Sequence, residues 1–160
     1  MNQAILKRVS RGGMLTTAAA ALAAPAAAAP RGLVQFVNPS GQKPAGYTDA
    51  VVTSNGRTIY LSGQVGLDRA GNLVGDDALT QCEQIFANIG IALAACNATY
   101  AHLVKLSFYL LRIEDLPAIR TVRDRHVNLS SPPTSTAVAV VALFKPGVLM
   151  EIDAVAFVPE

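Results

Sequence analysis

Thr134-Ser-Thr-Ala-Val-Ala-Val-Val-Ala-Leu-Phe144, Lys145-Pro-Gly147 and Val148-Leu-Met-Glu-Ile-Asp-Ala-Val-Ala-Phe157 form the last segment of the chain, and the rest is organised around it. The segment reads as two strands joined by the turn Lys145-Pro146-Gly147. The first arm is rich in β-branched residues and almost continuously apolar, as in a strand covered on both faces. The second arm carries two carboxylates inside an apolar run. Alternation along a strand puts Glu151 and Asp153 on one face and Met150, Ile152, Ala154 and Ala156 on the other. A carboxylate in an apolar strand has to be paired, hydrogen-bonded or wet, because burying it bare is costly. The pattern favours an edge strand with one solvated face. The alternative is a carboxylate lining a cleft or a subunit interface, where chemistry is open to it.

Upstream, Ser130 to Pro133 is a loop, and Glu114-Asp115-Leu116-Pro117 opens a helix with acidic capping residues and an early proline. Leu116, Ile119, Val122 and His126 share the inward face of that helix, and His126 reads as a packing residue rather than a base. Arg120, Arg123 and Arg125 belong mostly to the outside. Three arginines can clamp an anion, but the spacing favours a solvated face. His102 to Leu111 is a strand. From Ala78 to about Ala95 the period is helical, with Leu79, Cys82, Phe86, Ile89, Leu93 and Cys96 on one apolar face and Gln81, Gln84 and Asn88 in a polar stripe beside it. Gly75-Asp76-Asp77 offers an N-cap and Asn97 a stop.

Nearer the front, Gly32 to Asn38 reads as a first strand and Pro39 to Gly46 as a loop. Asn55-Gly56 separates Val51-Val-Thr-Ser54 from Arg57-Thr-Ile-Tyr-Leu61 and signals a β-hairpin. Gly63, inside the strand that ends Ser62-Gly63-Gln64-Val65, marks a bulge or a close approach to the backbone. Asp68 to Asn72 is a turn. The resulting order, β-β-β-α-β-α-β-β, implies an α+β mixed sheet with both helices on one face. The uncovered face, where apolar, needs a second copy, so an oligomer is expected.

At 160 residues the chain suffices for one domain with a core. Lys7, Arg8 and Arg11, the apolar run Met14 to Ala24, and the small residues Ala26 to Ala29 have the layout of a secretory signal peptide over residues 1–29, implying export to a bacterial periplasm. The run is too short to span a membrane; the alternative is an uncleaved tail. Residues 30–46 then form an N-terminal strand and loop, and 47–160 the main domain. The whole chain has 13 basic and 11 acidic residues; three of the basic ones lie in the leader, leaving 10 against 11. That balance gives no footprint for nucleic acid and no basic run for anionic membranes. Cys82 and Cys96, fourteen positions apart on one helix, would sit about 21 Å apart, too far for a disulfide. With only His102 and His126 besides, no spacing suggests a zinc site.

There is no Gly-x-Ser-x-Gly, Walker A loop or dinucleotide fingerprint. Six shorter motifs in register do carry a resemblance. They are Gly46-Tyr-Thr-Asp-Ala50, Tyr60-Leu-Ser-Gly-Gln-Val65, Gln81-x-x-Gln84-x-x-x-Asn88, Val104-Lys105 with Tyr109-Leu110, Pro132-x-x-Ser135 and Glu151-Ile-Asp-Ala-Val-Ala156. Over roughly Tyr47 to Phe157 the chain resembles the RidA/YjgF family. The resemblance implies a chorismate-mutase-like fold, a homotrimer with clefts between subunits, and hydrolysis of reactive enamines and imines without a cofactor or metal. It implies Glu151 as the acid/base, and Tyr47, Ser62, Gly63, Asn88, Thr134 and Thr136 as substrate-binding positions. Where the family has an arginine in Pro-Ala-Arg-Ser to hold a substrate carboxylate, this chain has Thr134 in Pro132-Pro-Thr-Ser135. Losing that bidentate contact is worth roughly 10² to 10³ in rate on amino-acid-derived imines. Two readings follow: a RidA-like hydrolase with an altered substrate preference, or a non-catalytic ligand-binding or chaperone-like trimer using the same cleft.

Overall fold

The computed structural model describes residues 32–39 and 46–160; the leader read over 1–29 and most of the loop read over 39–46 lie outside them. The described elements are β1 (Leu33–Val37), β2 (Ala50–Ser54), β3 (Gly56–Val65), α1 (Ala78–Ala95), β4 (Leu103–Leu110), α2 (Leu116–Arg123), β5 (Thr134–Ala139) and β6 (Met150–Pro159). Capping sets the limits of α1. Asp77 accepts from the Thr80 amide at 2.9 Å and the Thr80 hydroxyl at 2.6 Å, and Asn97 past the other end takes the positive φ of 52° that stops the helix. No helix among the described residues is long and apolar enough to cross a membrane.

The main sheet has the order β3-β6-β4-β5. β6 runs antiparallel to both neighbours, and β4 and β5 are parallel. A parallel pair needs a crossover, which α2 supplies between β4 and β5. α1 makes a second crossover from β3 to β4, with β6 inserted between them. Both crossovers step the same way across the sheet, so their common hand lays both helices on one face. The core fills that layer: Ile59, Leu61, Leu106, Phe108, Leu110, Met150, Ile152, Ala154 and Ala156 from the sheet meet Cys82, Ile85, Phe86, Ile89, Leu93, Ile119 and Val122 from the helices. The α+β architecture expected from element order is the one observed.

The pairing differs from two sequence expectations. Asn55-Gly56 is not a hairpin turn: β2 pairs with β1 in a separate two-stranded ribbon, and β3 pairs with β6. A type I′ turn needs positive φ at both central residues, and only Asn55 has it. The dipeptide is instead the corner between ribbon and sheet, with the Asn55 carbonyl accepting from the Glu160 amide at 3.0 Å. Nor do β5 and β6 form a hairpin. β5 is the exposed edge strand, not one covered on both faces, whereas β6 lies inside the sheet rather than at its edge. The chain leaves β5 at Ala139 and passes back beyond β4 before β6 begins.

Helix faces shift slightly as well. Ile85 is fully buried, while Leu79, expected on the apolar face, is 45 % exposed. Arg123, expected outside, is buried, with its guanidinium against Gly46 and paired with Asp124. Cys82 is buried and Cys96 half-buried, both free; burial pushes the Cys82 thiol up to about 12, which makes it inert. His126, just past α2, stacks on Phe86 with ring centroids 4.8 Å apart and meets Tyr100 at 4.6 Å. Burial, with a smaller push from Arg125, holds its imidazole below the ordinary 6.5, and Glu83 opposes the shift. The unfolded chain thus binds the extra proton more readily than the folded one. Stability is expected to be full above about pH 6.5 and to fall as the pH drops through that value. Denaturant melts at neutral and mildly acidic pH check this, and His126→Gln should flatten the loss; an equal loss in the variant would assign it to other groups.

Candidate functional site

The register of β3 against β6 skips at one place. Leu61 lies opposite Ala154 but Gln64 lies opposite Ile152, so β3 spends one residue more than its partner there. Ser62 and Gly63 occupy that bulge, a device that re-aims side chains and often borders active sites. Gly63 serves a second need. A Cβ built on it would overlap the Glu151 carboxylate, so only glycine lets that side chain lie along the strand. Both meanings read into Gly63 from its place in a strand hold together here.

Glu151 projects, half-buried, from the sheet face away from the helices. Its cross-strand neighbours are Val65 on β3 and Tyr109 on β4. Asp153, two residues on and on the same face, accepts from the Tyr109 hydroxyl at 3.0 Å. That hydrogen bond, then the Asp153 charge and more weakly that of Glu151, push the Tyr109 phenol upward, so it stays a donor. The result is a row of acid, phenol and second acid across two central strands. Tyr109 and Asp153 were not among the positions expected to act. Their signal was the shared face of Glu151 and Asp153, with Tyr109 alternating on the neighbouring strand.

Asn88 has a different duty. Its amide donates to the Val65 carbonyl at 3.1 Å and the Leu67 carbonyl at 3.0 Å and accepts from Gln84 at 2.9 Å. It ties α1 to the end of β3 and borders a cavity of about 390 Å³ with Gly63, Ile91 and Ala92.

Thr134 opens β5 opposite Lys105, which in turn lies opposite Val155. Glu151 is four residues back along β6, so Thr134 is roughly 13 Å away along the strands and two strands over. The Thr134 hydroxyl donates to the Val104 carbonyl at 3.1 Å. Thr136 lies opposite Ser107, which lies opposite Asp153, and is nearer the acids.

Tyr47 sits beside the strand edge because Thr48 anchors it. Thr48 is buried, its hydroxyl donates to the Pro132 carbonyl at 2.6 Å and its amide to the Pro133 carbonyl at 3.2 Å. This clasp brings Gly46-Tyr47-Thr48 against the segment that leads into β5. Tyr47 then lines a cavity of about 130 Å³ with Phe108, Leu116, Ile119, Arg120, Arg123, Ser135 and Ala137. That cavity is on the helix side of the sheet, and Glu151 is on the other. One chain therefore brings Glu151, Ser62 and Gly63 together and holds Tyr47 apart from them. Among the described residues no three His, Cys, Asp or Glu side chains cluster to hold a metal ion.

Comparison with known proteins agrees with this architecture. The family model described as Endoribonuclease L-PSP matches residues 40–158. The chain is 36% identical over 128 residues to a goat (Capra hircus) protein named 2-iminobutanoate/2-iminopropanoate deaminase, covering 78% of this chain and 90% of that one. It is 34% identical over 111 residues to the human protein of that name, covering 69% and 78%. Among solved structures, YyfB of Yersinia pestis, a protein of unknown function in the conserved Rid family, superposes with a TM-score of 0.71 at 32% identity, over 78% of this chain and 98% of that one. With a family model spanning most of its length, and an open-faced mixed sheet backed by two helices, the chain belongs to the RidA/YjgF family.

Proposed function

We propose that the protein is a RidA-like hydrolase that deaminates reactive enamines and imines, working as a homotrimer whose clefts join the Glu151 side of one copy to the Tyr47 side of the next. The observation that carries the reading is the seat of Glu151, whose carboxylate is laid against the glycine of the β3 bulge on a sheet face that no helix covers. In this scheme Glu151 takes a proton from water as the oxygen adds to the C=N carbon, and returns it to nitrogen. The carbinolamine collapses to a carbonyl and ammonia, so imine plus water is fully accounted for without a cofactor. Ser62 and Gly63 line the acid's side of the cleft, with Thr134 and Thr136 on the same sheet face, and Tyr47 of the next copy lines the other.

The open face supports the assembly. Tyr60 there is 80 % exposed and Val138 on the edge strand 41 %, so a second copy has apolar surface to cover. Thr134 is uncharged, so a substrate carboxylate is not gripped by charge from β5, and a preference other than that of the relatives named as iminobutanoate and iminopropanoate deaminases follows unless another cation holds the carboxylate. The leader read over residues 1–29 would place this activity in the periplasm. The second reading, a trimer that binds small ligands or clients without turnover, is favoured by one observation: the Thr134 hydroxyl is already committed to a backbone carbonyl.

The purified protein is expected to sediment as a trimer and to raise the rate of ammonia release from an enzymatically generated imine above the blank. Rates equal to the blank across charged and neutral imines would remove the hydrolase reading and leave the binding one; a monomer would remove both.

A further inference from the structure

The 130 Å³ cavity beneath Tyr47 has a floor and a rim of different character. Phe108, Leu116 and Ile119 make the floor apolar; Arg120, Arg123 and Ser135 give the rim its polarity. Its volume suits a small ligand, well below the range of drug-sized sites. Arg120 and Arg123 are three apart on α2, so both reach the same side of the helix. Their situations differ. Arg123 is 6 % exposed, and its Nε and Nη2 both meet Asp124 Oδ1, at 2.7 and 2.6 Å, so its charge is answered within the protein. The ion pairs among the described residues are Arg112 with Asp115, Arg123 with Asp124, and Arg125 with Glu83; Arg120 takes part in none of them. Arg120, exposed at the rim, thus brings a positive charge without an ion-pair partner among the described residues beside an apolar floor.

We infer that Arg120, projecting from α2, holds the carboxylate of a small apolar-tailed acid in this cavity, a contact separate from the position of Thr134 on the other sheet face. The inference rests on the hydrolase reading above only for the identity of the acid, a 2-imino acid and its 2-oxo product. Arg120 is here a specificity residue, and Glu151 remains the group that moves protons. A guanidinium suits the task because its planar fork matches a carboxylate. Arg123, fixed against Gly46, narrows the cavity and keeps Asp124 occupied, so that Asp124 does not neutralise Arg120.

Calorimetric titration of the full chain with 2-oxobutanoate, and with its neutral amide, tests this. The acid should bind at least about ten times more tightly than the amide. Arg120→Ala should weaken the acid by about ten- to a hundred-fold and leave the amide unchanged, the range expected for losing a charge-assisted hydrogen-bonded contact. Arg120→Lys should recover part of the affinity, and Arg125→Ala, which removes an exposed charge already paired with Glu83, should change neither ligand. Acid and amide binding alike, no binding of either, or an Arg120→Ala protein that melts normally and keeps wild-type affinity would each overturn the inference. Arg120-dependent binding without ammonia release would uphold it and sink the hydrolase reading. Ammonia release from imino acids with an unchanged KM in Arg120→Ala would do the reverse.

Discussion

Glu151→Gln is expected to lower kcat/KM for imine hydrolysis by about 10² to 10⁴, the usual contribution of a positioned acid/base. The substitution keeps the shape of the side chain and its place over Gly63, and removes only the ability to take and return a proton. Ligand binding and assembly should be preserved, because the cation assigned to the carboxylate is Arg120, on the other side of the sheet. The loss should therefore fall on kcat with KM little changed. Ammonia release under saturating imine, with a thermal melt of the same sample, is the measurement. A Glu151→Gln protein with wild-type turnover would move the chemistry elsewhere, and Asp153 with its Tyr109 donor would be the next place to look.

The largest expected loss of stability is at Gln81, the first residue of the polar stripe that the sequence placed beside the apolar face of α1. Gln81 is fully buried. Its Nε2 donates to the Gly147 carbonyl at 2.9 Å and the Gly75 carbonyl at 3.2 Å, and its Oε1 accepts from the Leu149 amide at 2.9 Å. One side chain thus pins the connection that threads β6 into the sheet, and through it the start of the strand that carries Glu151. Gln81→Leu fills a similar volume but leaves three part-buried backbone groups without their partner. A fully buried group costs about 1–3 kcal/mol and these three are only partly buried, so a loss in the lower part of the summed range, on the order of 3–6 kcal/mol, is expected, against about 5–15 kcal/mol for a whole domain. Circular-dichroism melting should show the midpoint falling by on the order of 10 to 20 °C. Gln84→Leu, one turn along and bonded only to Asn88, serves as the comparison and should cost far less. Equal melting of the two variants would mean that the clasp contributes nothing.

Much of this was legible in the residues. The span of α1, a cap within Gly75-Asp76-Asp77 and the facing of Glu151 and Asp153 away from Met150 and Ile152 follow from periods of 3.6 and 2 and from capping chemistry. The bulge was legible too, because an interior glycine in a strand has few other uses. The run Thr134–Phe144 misled because β-branched apolar residues suit a covered strand and an edge equally, and its exposure in one chain depends on what lies beyond it. The burial of Arg123 was not legible, since it follows from a glycine 77 positions upstream whose lack of a Cβ makes room for a guanidinium.

What residues reveal on their own is therefore the type, length and facing of each element, because those are decided by groups a few positions apart. They do not name the neighbour: β6 belongs between β3 and β4 and not beside β5, and that choice is made by packing and hydrogen bonds across the whole domain, such as those Gln81 makes to backbone 66 and 68 residues away. The same holds for the site. Chemistry-bearing side chains could be picked out one by one, but that Tyr47 and Glu151 lie on opposite faces of one sheet follows only from the closed fold. An alternating pattern assigns a face within its own strand, whereas the side of the sheet it becomes is set by where the helices pack.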